Sequence, residues 1–249
     1  MVNINFKELL DGKKKQPKKE IKPKSKKVSS RVLVISDTHI PFEHKDYLAF
    51  CKSMYQKFKC NTVVHIGDEV DNHAINYHEK DPDGLGAGKE SNLAQRRLKK
   101  WYAAFPEVKV CIGNHTSLPS RKFRTAGLPK RFVKTYKEAW NAPEGWDWEF
   151  EWEIDGVLYQ HGTGTGGKFP HVNRAMNNRQ STVMGHIHSV GGAQYIVGRR
   201  DKIFGMAVGC GVDRKSYAMW YGKDFVRKPI LGCGIVIGGI YAFFVPMSL

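Results

Sequence analysis

The sequence predicts a single α/β domain over residues 29–249, preceded by a basic arm over residues 1–28. Two patterns predict this class. In the first half, short apolar runs alternate with amphipathic helical patterns, which is the rhythm of a mostly parallel sheet covered by helices. In the second half, short alternating or β-branched runs follow one another between turn residues, which predicts further strands. No internal repeat is visible, so one domain is expected.

The basic arm is the first feature along the chain. Residues 13–27, "KKKQPKKEIKPKSKK", are rich in Lys and Pro and almost without apolar side chains. Such a segment cannot offset the entropy lost on ordering, so we expect it to be disordered. Two roles for the arm remain open. The net charge of +16 favours contact with nucleic acid, and the alternative is a tail that serves only solubility or localisation.

The first half of the domain carries three predicted strands and two predicted helices. The runs "RVLVIS", "NTVVHIG" and "VKVCIG" are rich in β-branched residues and predict the strands. One apolar stripe at helical spacing follows the first strand, and another follows the polar, glycine-rich residues 81–90. The stripes consist of Tyr47, Cys51, Met54, Tyr55 and Phe58, and then of Ala94, Leu98, Trp101, Tyr102 and Phe105.

The second half is predicted to be rich in strands. Residues 146–154, "WDWEFEWEI", alternate aromatic or aliphatic with acidic residues, which predicts one half-buried antiparallel strand with its Trp and Phe side chains in the core. The runs "VLYQ", "STVM", "AQYIV" and "KIFGMAV" predict four more strands. The residues from Pro229 to Leu249 are uncharged, and the stretch is long enough to span a bilayer. Their glycines and proline instead favour a hairpin that turns at Gly238 and Gly239.

Polar side chains of an unusual kind follow several of these strands. The strands of the first half end at "SDTH", "GDEVD" and "GNH", and two later strands end at "QHG" and "GHIH". Because ligands bind at the carboxyl ends of strands in an open α/β sheet, we expect these side chains to converge. The candidates are Asp37, His39, Asp68, Asn114, His115, His161, His186 and His188.

All of these candidates except His115 suit a centre with two divalent ions. Carboxylates, imidazoles and one amide, without thiolates, are the ligands of Mn, Fe or Zn, and manganese is favoured. These donors are more than one four-coordinate ion accepts while keeping a position open. Two ions bridged by a carboxylate would use them all, and His186 and His188 would then reach different ions.

In this order and at this spacing, the motifs DxH, GDxxD, GNH, HG and GHxH resemble the calcineurin-like metallophosphoesterase superfamily. The resemblance covers the chain from about Val32 to His188, and phage-encoded members are the nearest likeness. It implies a two-sheet β-sandwich flanked by helices, and hydrolysis of phosphoesters with the help of two metal ions.

The resemblance also implies a role for each motif residue. His115 is expected to contact the phosphate and to protonate the leaving oxygen, and Asp71 is expected to orient His115. The implied metal ligands form two sets joined by a bridging carboxylate: Asp37, His39 and His188 for one ion, Asp68 as the bridge, and Asn114, His161 and His186 for the other.

The sequence departs from the patterns of some members. Thr116 follows GNH, where many members carry Asp or Glu. Asn72 and His73 follow GDxxD, where protein serine/threonine phosphatases carry Arg-Gly, which argues against a protein phosphatase. The GDxxH pattern of the recombination-type nucleases is also absent, so no close match to those enzymes is expected.

Two segments beside the predicted centre are candidates for substrate binding. Residues 72–90 form a polar insertion that carries His73 and a glycine-rich part, which is typical of a lid. Residues 120–134 carry Arg121, Lys122 and Arg124 among aromatic residues. This composition is typical of segments that bind the phosphate backbone of nucleic acid. The structural alternatives are a solvated loop and a basic helix face that covers the sheet.

Three functions are compatible with these patterns. A metal-dependent phosphodiesterase acting on nucleic acid, that is a nuclease, accounts for the basic arm and residues 120–134 together. A phosphomonoesterase acting on nucleotides or other small phosphoesters fits the same metal centre. A non-catalytic nucleic-acid-binding module is the third hypothesis, and the complete donor set argues against it.

The five cysteines are spread along the chain without a CxxC pair, so neither a disulfide framework nor a thiolate zinc site is predicted. The first residues lack the apolar stretch of a signal peptide. We therefore expect a cytoplasmic protein. The excess of basic residues makes nucleic acid the expected partner. The hairpin expected at residues 229–249 leaves no segment expected to enter a membrane.

Overall fold

The structure is a computed structural model that describes residues 29–248. The predicted disorder of the basic arm therefore lies outside the described residues. Within the described range the chain folds into a mixed α/β structure with two β-sheets flanked by helices. This architecture confirms the fold class that the motifs implied.

The described part of the chain alternates strands and helices. The strands are β1 (Arg31–Ile35), β2 (Thr62–His65), β3 (Val108–Cys111), β4 (Trp146–Glu149), β5 (Glu151–Ile154), β6 (Val157–Gln160), β7 (Thr182–Met184), β8 (Gly191–Val197), β9 (Lys202–Val208), β10 (Gly232–Ile237) and β11 (Tyr241–Pro246). The α-helices are α1 (Tyr47–Lys57), α2 (Ala87–Ala104), α3 (Leu118–Thr125), α4 (Tyr136–Trp140) and α5 (Pro170–Asn178).

Parallel strands form the centre of both sheets. The first sheet has the order β11-β10-β1-β2-β3-β4, in which β1 to β4 run parallel and β10 and β11 are antiparallel. The second has the order β5-β6-β7-β9-β8, in which β6, β7 and β9 run parallel. The predicted βαβ rhythm of the first half is confirmed, since α1 connects β1 to β2 and α2 connects β2 to β3.

The alternation of side chains along β1 shows why the sheets stack. Val32 and Val34 point into the layer between the two sheets, whereas Leu33 and Ile35 point into the layer beneath the helices. Successive side chains of a strand face opposite sides, so a strand that is apolar at every position is buried on both faces. The run "VLVI" therefore specifies a central strand with a sheet on one side and helices on the other.

The predicted helical stripes pack on the first sheet. Tyr47 and Cys51 of α1 and Leu98 and Trp101 of α2 are buried in the layer beneath β1 to β3. Helix α2 begins at Ala87, inside the residues predicted as a glycine-rich loop. Its first turn carries a buried Glu90.

The Glu90 carboxylate holds the chain segment that follows β2. It accepts hydrogen bonds from the backbone N–H of His73, at 2.7 Å, and of Ala74, at 2.8 Å. A buried carboxylate requires such donors, because burial without them costs several kcal/mol. The insertion after GDEVD is thus attached to α2 at its base.

The prediction of one antiparallel strand over residues 146–154 is wrong. The chain crosses there from one sheet to the other, so that β4 pairs parallel with β3 and β5 pairs antiparallel with β6. Phe150, predicted in the core, lies at the crossing and is 73% exposed. The period-two pattern does not reveal the break, because both strands are half-buried edge strands and keep the same alternation.

The hairpin predicted at the end of the sequence is confirmed. Strands β10 and β11 pair antiparallel, and the turn between them places Gly238 at φ 58° and Gly239 at φ 69°, where a side chain would be strained. Within residues 29–248, no helix combines the length and the apolar character that crossing a membrane requires.

Helix α5 lies against β9 so closely that Gly205 has no room for a side chain. A Cβ atom at this position would collide with the backbone oxygen of His171 in α5. We expect Gly205→Ala to lower the free energy of unfolding by about 1–3 kcal/mol through overpacking, measured by urea denaturation.

Gly88 of α2 is the matched control, since a Cβ atom there would meet no other atom within 4 Å. We expect Gly88→Ala to leave stability unchanged or to raise it by up to about 1 kcal/mol. A Gly205→Ala variant as stable as Gly88→Ala would contradict the close packing of α5 on β9.

Candidate metal centre

The predicted donors meet where the two sheets open at the carboxyl ends of their parallel strands. The segments that follow β1, β2 and β3 come from the first sheet, and those that follow β6 and β7 come from the second. These segments carry Asp37, His39, Asp68, Asn114, His115, His161, His186 and His188. The structure therefore brings together all of the side chains that the strand ends predicted.

The backbone turns sharply just after the strands. Asp37, His39, Asp68 and His186 all adopt positive φ angles, of 42°, 49°, 51° and 65°. Non-glycine residues rarely adopt this conformation, and it concentrates at functional sites where the surrounding structure holds it in place. Here the β1 and β2 ends hold each other, since His39 N–H donates to the Asp68 carbonyl at 3.0 Å.

Asp37, His39 and His188 form the first donor group. Nε2 of His39 lies 3.2 Å from Nε2 of His188, and Oδ1 of Asp37 lies 3.3 Å from the latter and 3.9 Å from the former. Ligands about 2.1 Å from a shared ion are roughly 3.0–3.4 Å apart. Two of the three distances fall in that range, so this group fits one divalent ion.

Asp68, Asn114 and His161 form the second donor group. Nε2 of His161 lies 3.0 Å from Oδ2 of Asp68 and 2.9 Å from Oδ1 of Asn114. The ring of His186 lies 5.0 Å from that of His161, measured between centroids. Donor atoms of Asp37, Asp68 and His161 lie within 4.8 Å of one another. The two groups are therefore adjacent.

Hydrogen bonds on the far side of two imidazoles orient them toward the centre. Nδ1 of His39 donates to Oδ2 of Asp71 at 2.8 Å, and Nδ1 of His161 donates to the carbonyl of Ile66 at 3.1 Å. Each bond fixes the ring so that Nε2 faces the donor group. Histidines that bind metals in proteins are held in this way.

Glycines leave space for the carboxylates. A Cβ atom at Gly113 would collide with the Asp68 carboxylate, and one at Gly185 would collide with that of Asp37. The glycines of the GNH and GHIH motifs thus have a steric role at this centre, and both carboxylates are buried behind them.

The titration behaviour of the centre follows from its buried charges. Burial lowers the pKa of His39, but hydrogen bonds to Asp37 and Asp71 outweigh burial and raise that pKa to about 10. Burial likewise lowers the pKa of His161, whereas the Asp68 carboxylate raises it to about 9. Protons and divalent ions would compete for the same Nε2 atoms, so binding of a metal ion here would release protons.

His186 behaves in the opposite way. Burial, together with the nearby charge of His161, lowers the pKa of His186 to about 4. Its imidazole is therefore neutral near pH 7 and already in the form that binds a metal ion.

His115 lies beside the donor groups and is held by the backbone of Asp71. Its Nδ1 donates to the Asp71 carbonyl at 2.6 Å, whereas the nearest Asp71 carboxylate oxygen is 3.6 Å away. The Asp71 carboxylate instead accepts its short hydrogen bond from His39. The expected orientation of His115 by Asp71 thus involves the main chain, and the catalytic roles of both residues stay predictions.

Thr116 joins two parts of the site. Its hydroxyl accepts a hydrogen bond from Asp68 N–H at 3.1 Å and donates to Oε2 of Glu69 at 2.7 Å, while Nε1 of Trp148 donates to Oε1 at 3.0 Å. Burial raises the pKa of Glu69 to about 7, and these donors partly offset it. Glu69 thus places a buried carboxylate beside Thr116.

An open cavity of about 970 Å³ lies against the metal centre. Residues of both donor groups and His115 form one part of its lining, and residues 214–229, here called the basic wall, form another. This segment interleaves basic and aromatic residues as residues 120–134 do, so the same compositional signal in the sequence points to it. His78 of the insertion after GDEVD also lines the cavity.

The residues predicted to bind substrate lie elsewhere. In the part of the chain that the structure describes, the cavity lining includes none of Arg121, Lys122 and Arg124. Arg121 and Lys122 lie on α3 with their cationic groups 5.2 and 3.8 Å from the ring centre of Tyr77. His73 is buried, and its ring packs against Phe42 and Tyr217.

Comparison with known proteins is informative at the level of the family. The sequence profile of the family described as "Calcineurin-like phosphoesterase" matches residues 30–201, which is more than half of the chain. A search of curated protein sequences gives no significant match.

Several solved structures match this chain over most of its length. Vacuolar Protein Sorting 29 from Cryptosporidium parvum is 12% identical, with a TM-score of 0.42 over 90% of this chain and 100% of that chain. A metallophosphoesterase from Sphaerobacter thermophilus is 13% identical, with a TM-score of 0.43 over 88% of each chain. Yfce, a phosphoesterase from E. coli, is 16% identical, with a TM-score of 0.37 over 82% of this chain and 87% of that chain.

The Thr116 bridge yields a testable prediction about stability. Thr116→Val removes the donor to Glu69 and the acceptor for Asp68 N–H, and both partners are buried. We expect a loss of about 1–3 kcal/mol in the free energy of unfolding, measured by urea denaturation. Thr125→Val on α3 is the control, because its hydroxyl bonds an exposed carbonyl, and it should change stability by about 0.5 kcal/mol or less. Equal losses in the two variants would contradict the buried bridge.

Proposed function

Because the chain belongs to the calcineurin-like phosphoesterase family, we propose that it is a phosphodiesterase that uses two divalent metal ions to cleave nucleic acid. The family supports hydrolysis of phosphoesters, and the two donor groups support the binding of divalent metal. One observation carries the finer proposal. The cavity that contains both donor groups and His115 is also lined by five basic side chains, Arg214, Lys215, Lys223, Arg227 and Lys228.

We assign the metal ligands by the grouping of their donor atoms. One ion would be held by the first donor group, and the other by the second together with His186. Asp68 would contribute to both ions, because its carboxylate belongs to the second group and a donor atom of Asp37 lies within 4.8 Å of it. Imidazole, carboxylate and amide donors without thiolates suit Mn, Fe or Zn, and among these we propose manganese. Divalent ions bound there would supply a strongly acidified water molecule and would offset the negative charge of the phosphate.

The proton for the leaving oxygen is assigned to His115. The Asp71 carbonyl occupies Nδ1, so the ring exchanges a proton only at Nε2. Burial lowers the pKa of His115, but the Asp71 and Asp68 carboxylates raise it above its usual value and favour the protonated ring. A positioned imidazole that donates a proton to an ester oxygen accelerates its departure by about 10²- to 10⁴-fold.

The basic side chains favour a polymeric substrate over a small one. A phosphomonoester presents a single phosphate, and the donor groups alone would bind it. Several cations along one side of the cavity match the repeated charge of a phosphodiester backbone. The net charge of the whole chain, +16, acts in the same direction by attracting polyanions.

The first test is a gel time course. Protein loaded with Mn²⁺ is incubated with an internally labelled oligonucleotide that bears a 5′-phosphate, and we expect the labelled strand to shorten. Asp68→Asn should reduce the bound metal and lower the rate by roughly 100-fold or more, since even indirect partners of metal ligands change activity by 10- to 100-fold.

Asp201→Asn, on an exposed turn, is the matched control and should cleave as the original chain does. Loss of the terminal phosphate alone would show a phosphomonoesterase. Full activity of Asp68→Asn would contradict the metal assignment.

The role of His115 is tested with two leaving groups. His115→Ala should slow cleavage of an alkyl ester, whose leaving oxygen needs a proton, by about 10²- to 10⁴-fold. It should slow an activated aryl ester much less, because that leaving group departs without a proton. His44→Ala, outside the cavity that holds the donor groups, controls for loss of an imidazole. Equal losses on both esters would remove the acid role from His115.

A further inference from the structure

The basic wall is an excursion of the chain that is fixed at its base. It belongs to the connection between β9 and β10, and an isolated β-bridge between Cys210 and Leu231 joins the two ends of this connection. Cys210 N–H donates to the Ile230 carbonyl at 3.0 Å, and Ile230 N–H donates to the His188 carbonyl at 2.8 Å. The second bond attaches the wall directly to the segment that carries a metal donor.

One short helix of the wall turns an indole toward solvent. In the 3₁₀ helix Tyr217–Gly222, Ala218 and Met219 are buried against Phe42 and Val212, whereas Trp220 is 63% exposed. The hydroxyl of Tyr217 accepts a hydrogen bond from the backbone of Leu85 at 3.0 Å. The inner side chains therefore anchor the helix and leave the Trp220 ring available for contact.

The charges of the wall surround that indole. Residues 214–229 contain five basic side chains and one acidic side chain, which gives the wall a net charge of +4. Nζ of Lys223 lies 4.2 Å from the centre of the Trp220 ring, and Trp220, Lys223 and Arg227 line the same cavity as the metal donors. An aromatic ring beside cations is the combination with which proteins bind single strands, since bases stack on the ring and phosphates contact the cations.

We propose that the basic wall binds an unpaired strand of nucleic acid, with a base stacked on Trp220 and the backbone phosphates along Lys215, Lys223 and Arg227. This inference rests on the proposed phosphodiesterase function and deepens it, because it names single-stranded nucleic acid as the substrate class. It also replaces Arg121, Lys122 and Arg124, which lie outside the cavity lining, as the substrate contacts.

The preference for a single strand follows from the indole and from the depth of the centre. In a duplex both faces of each base are already stacked, so an exposed ring gains contact only with a base that is unpaired or at an end. Asp37 and Asp68 are almost fully buried. The phosphate to be cleaved must therefore enter the cavity, which a flexible strand does more easily than a stiff duplex.

The test measures binding without cleavage. The full chain in EDTA is titrated against a fluorescent single-stranded 12-mer of thymidine and against a duplex of the same length, by fluorescence anisotropy. Trp220→Ala should weaken binding of the single strand by roughly 5- to 150-fold, the range of one base stacked on an aromatic ring. Binding of the duplex should change by less than about twofold, and Trp220→Phe should restore most of the single-strand affinity.

The charges of the wall are tested through the salt dependence. Lys215→Ala combined with Arg227→Ala should reduce the slope of log K against log salt by about 1.4 for the single strand, since each phosphate contact contributes about 0.7. The matched control, Arg199→Ala with Arg200→Ala, removes the same charge from an exposed turn between β8 and β9 and should leave the slope unchanged. An equal change in both pairs would show only a general effect of charge and would overturn the proposal.

Separate outcomes distinguish this inference from the proposed function. Hydrolysis of bis(4-nitrophenyl) phosphate with Mn²⁺ tests the metal centre alone. If the chain hydrolyses this diester and Trp220→Ala binds the single strand as tightly as the original chain, the inference fails and the proposed function stands. If Trp220→Ala loses single-strand affinity selectively and no diester is cleaved, the binding surface stands and the proposed function fails. If Trp220→Ala weakened binding of the single strand and of the duplex equally, the proposed stacking of a base on Trp220 would be overturned.

Discussion

The structure of the site depends on how the charge of several carboxylates, buried at the ends of parallel strands, is compensated by neighbouring groups. Asp37, Asp68, Glu69 and Asp71 are each at most 1% exposed. Buried carboxylates are tolerated only when hydrogen-bond donors or opposite charges surround them. The imidazoles, the hydroxyl of Thr116 and backbone N–H groups supply these partners, and they arrive on strands of both sheets. The same groups that allow the carboxylates to be buried therefore create two adjacent donor groups for cations.

This compensation connects the chemistry to the fold. Each donor follows a strand whose apolar side chains hold the sheets together, so the positions of the donors are as well determined as the packing between the sheets. The left-handed turns at Asp37, His39, Asp68 and His186 are maintained by bonds between neighbouring strand ends. The basic wall extends this arrangement, since its base is bonded to the segment of His188. The candidate metal donors and the proposed substrate contacts thus belong to one framework.

Much of this arrangement could be predicted from local patterns. The β-branched runs predicted the parallel strands of the first sheet, and the stripe that includes Leu98 and Trp101 predicted α2. The motifs at the strand ends predicted every donor that the structure brings together. The strand over residues 146–154 was predicted wrongly, because alternation reports which side of a strand is buried and not which sheet it joins. Phe150 therefore carried no local signal of the crossing.

The sequence by itself determined the class of the fold, the family and the chemical nature of the donors, because strand periodicity and ligand type are properties of short segments. Only the tertiary structure decided which basic residues face the donors. Residues 120–134 follow GNH directly, yet α3 places Arg121 and Lys122 against Tyr77 outside the cavity lining. Residues 214–229 come after all of the donor motifs in the sequence and line the cavity, because the bridge between Cys210 and Leu231 brings this segment back to the carboxyl ends of the parallel strands. Distance along the chain does not report distance in space when the contact depends on how two sheets stack.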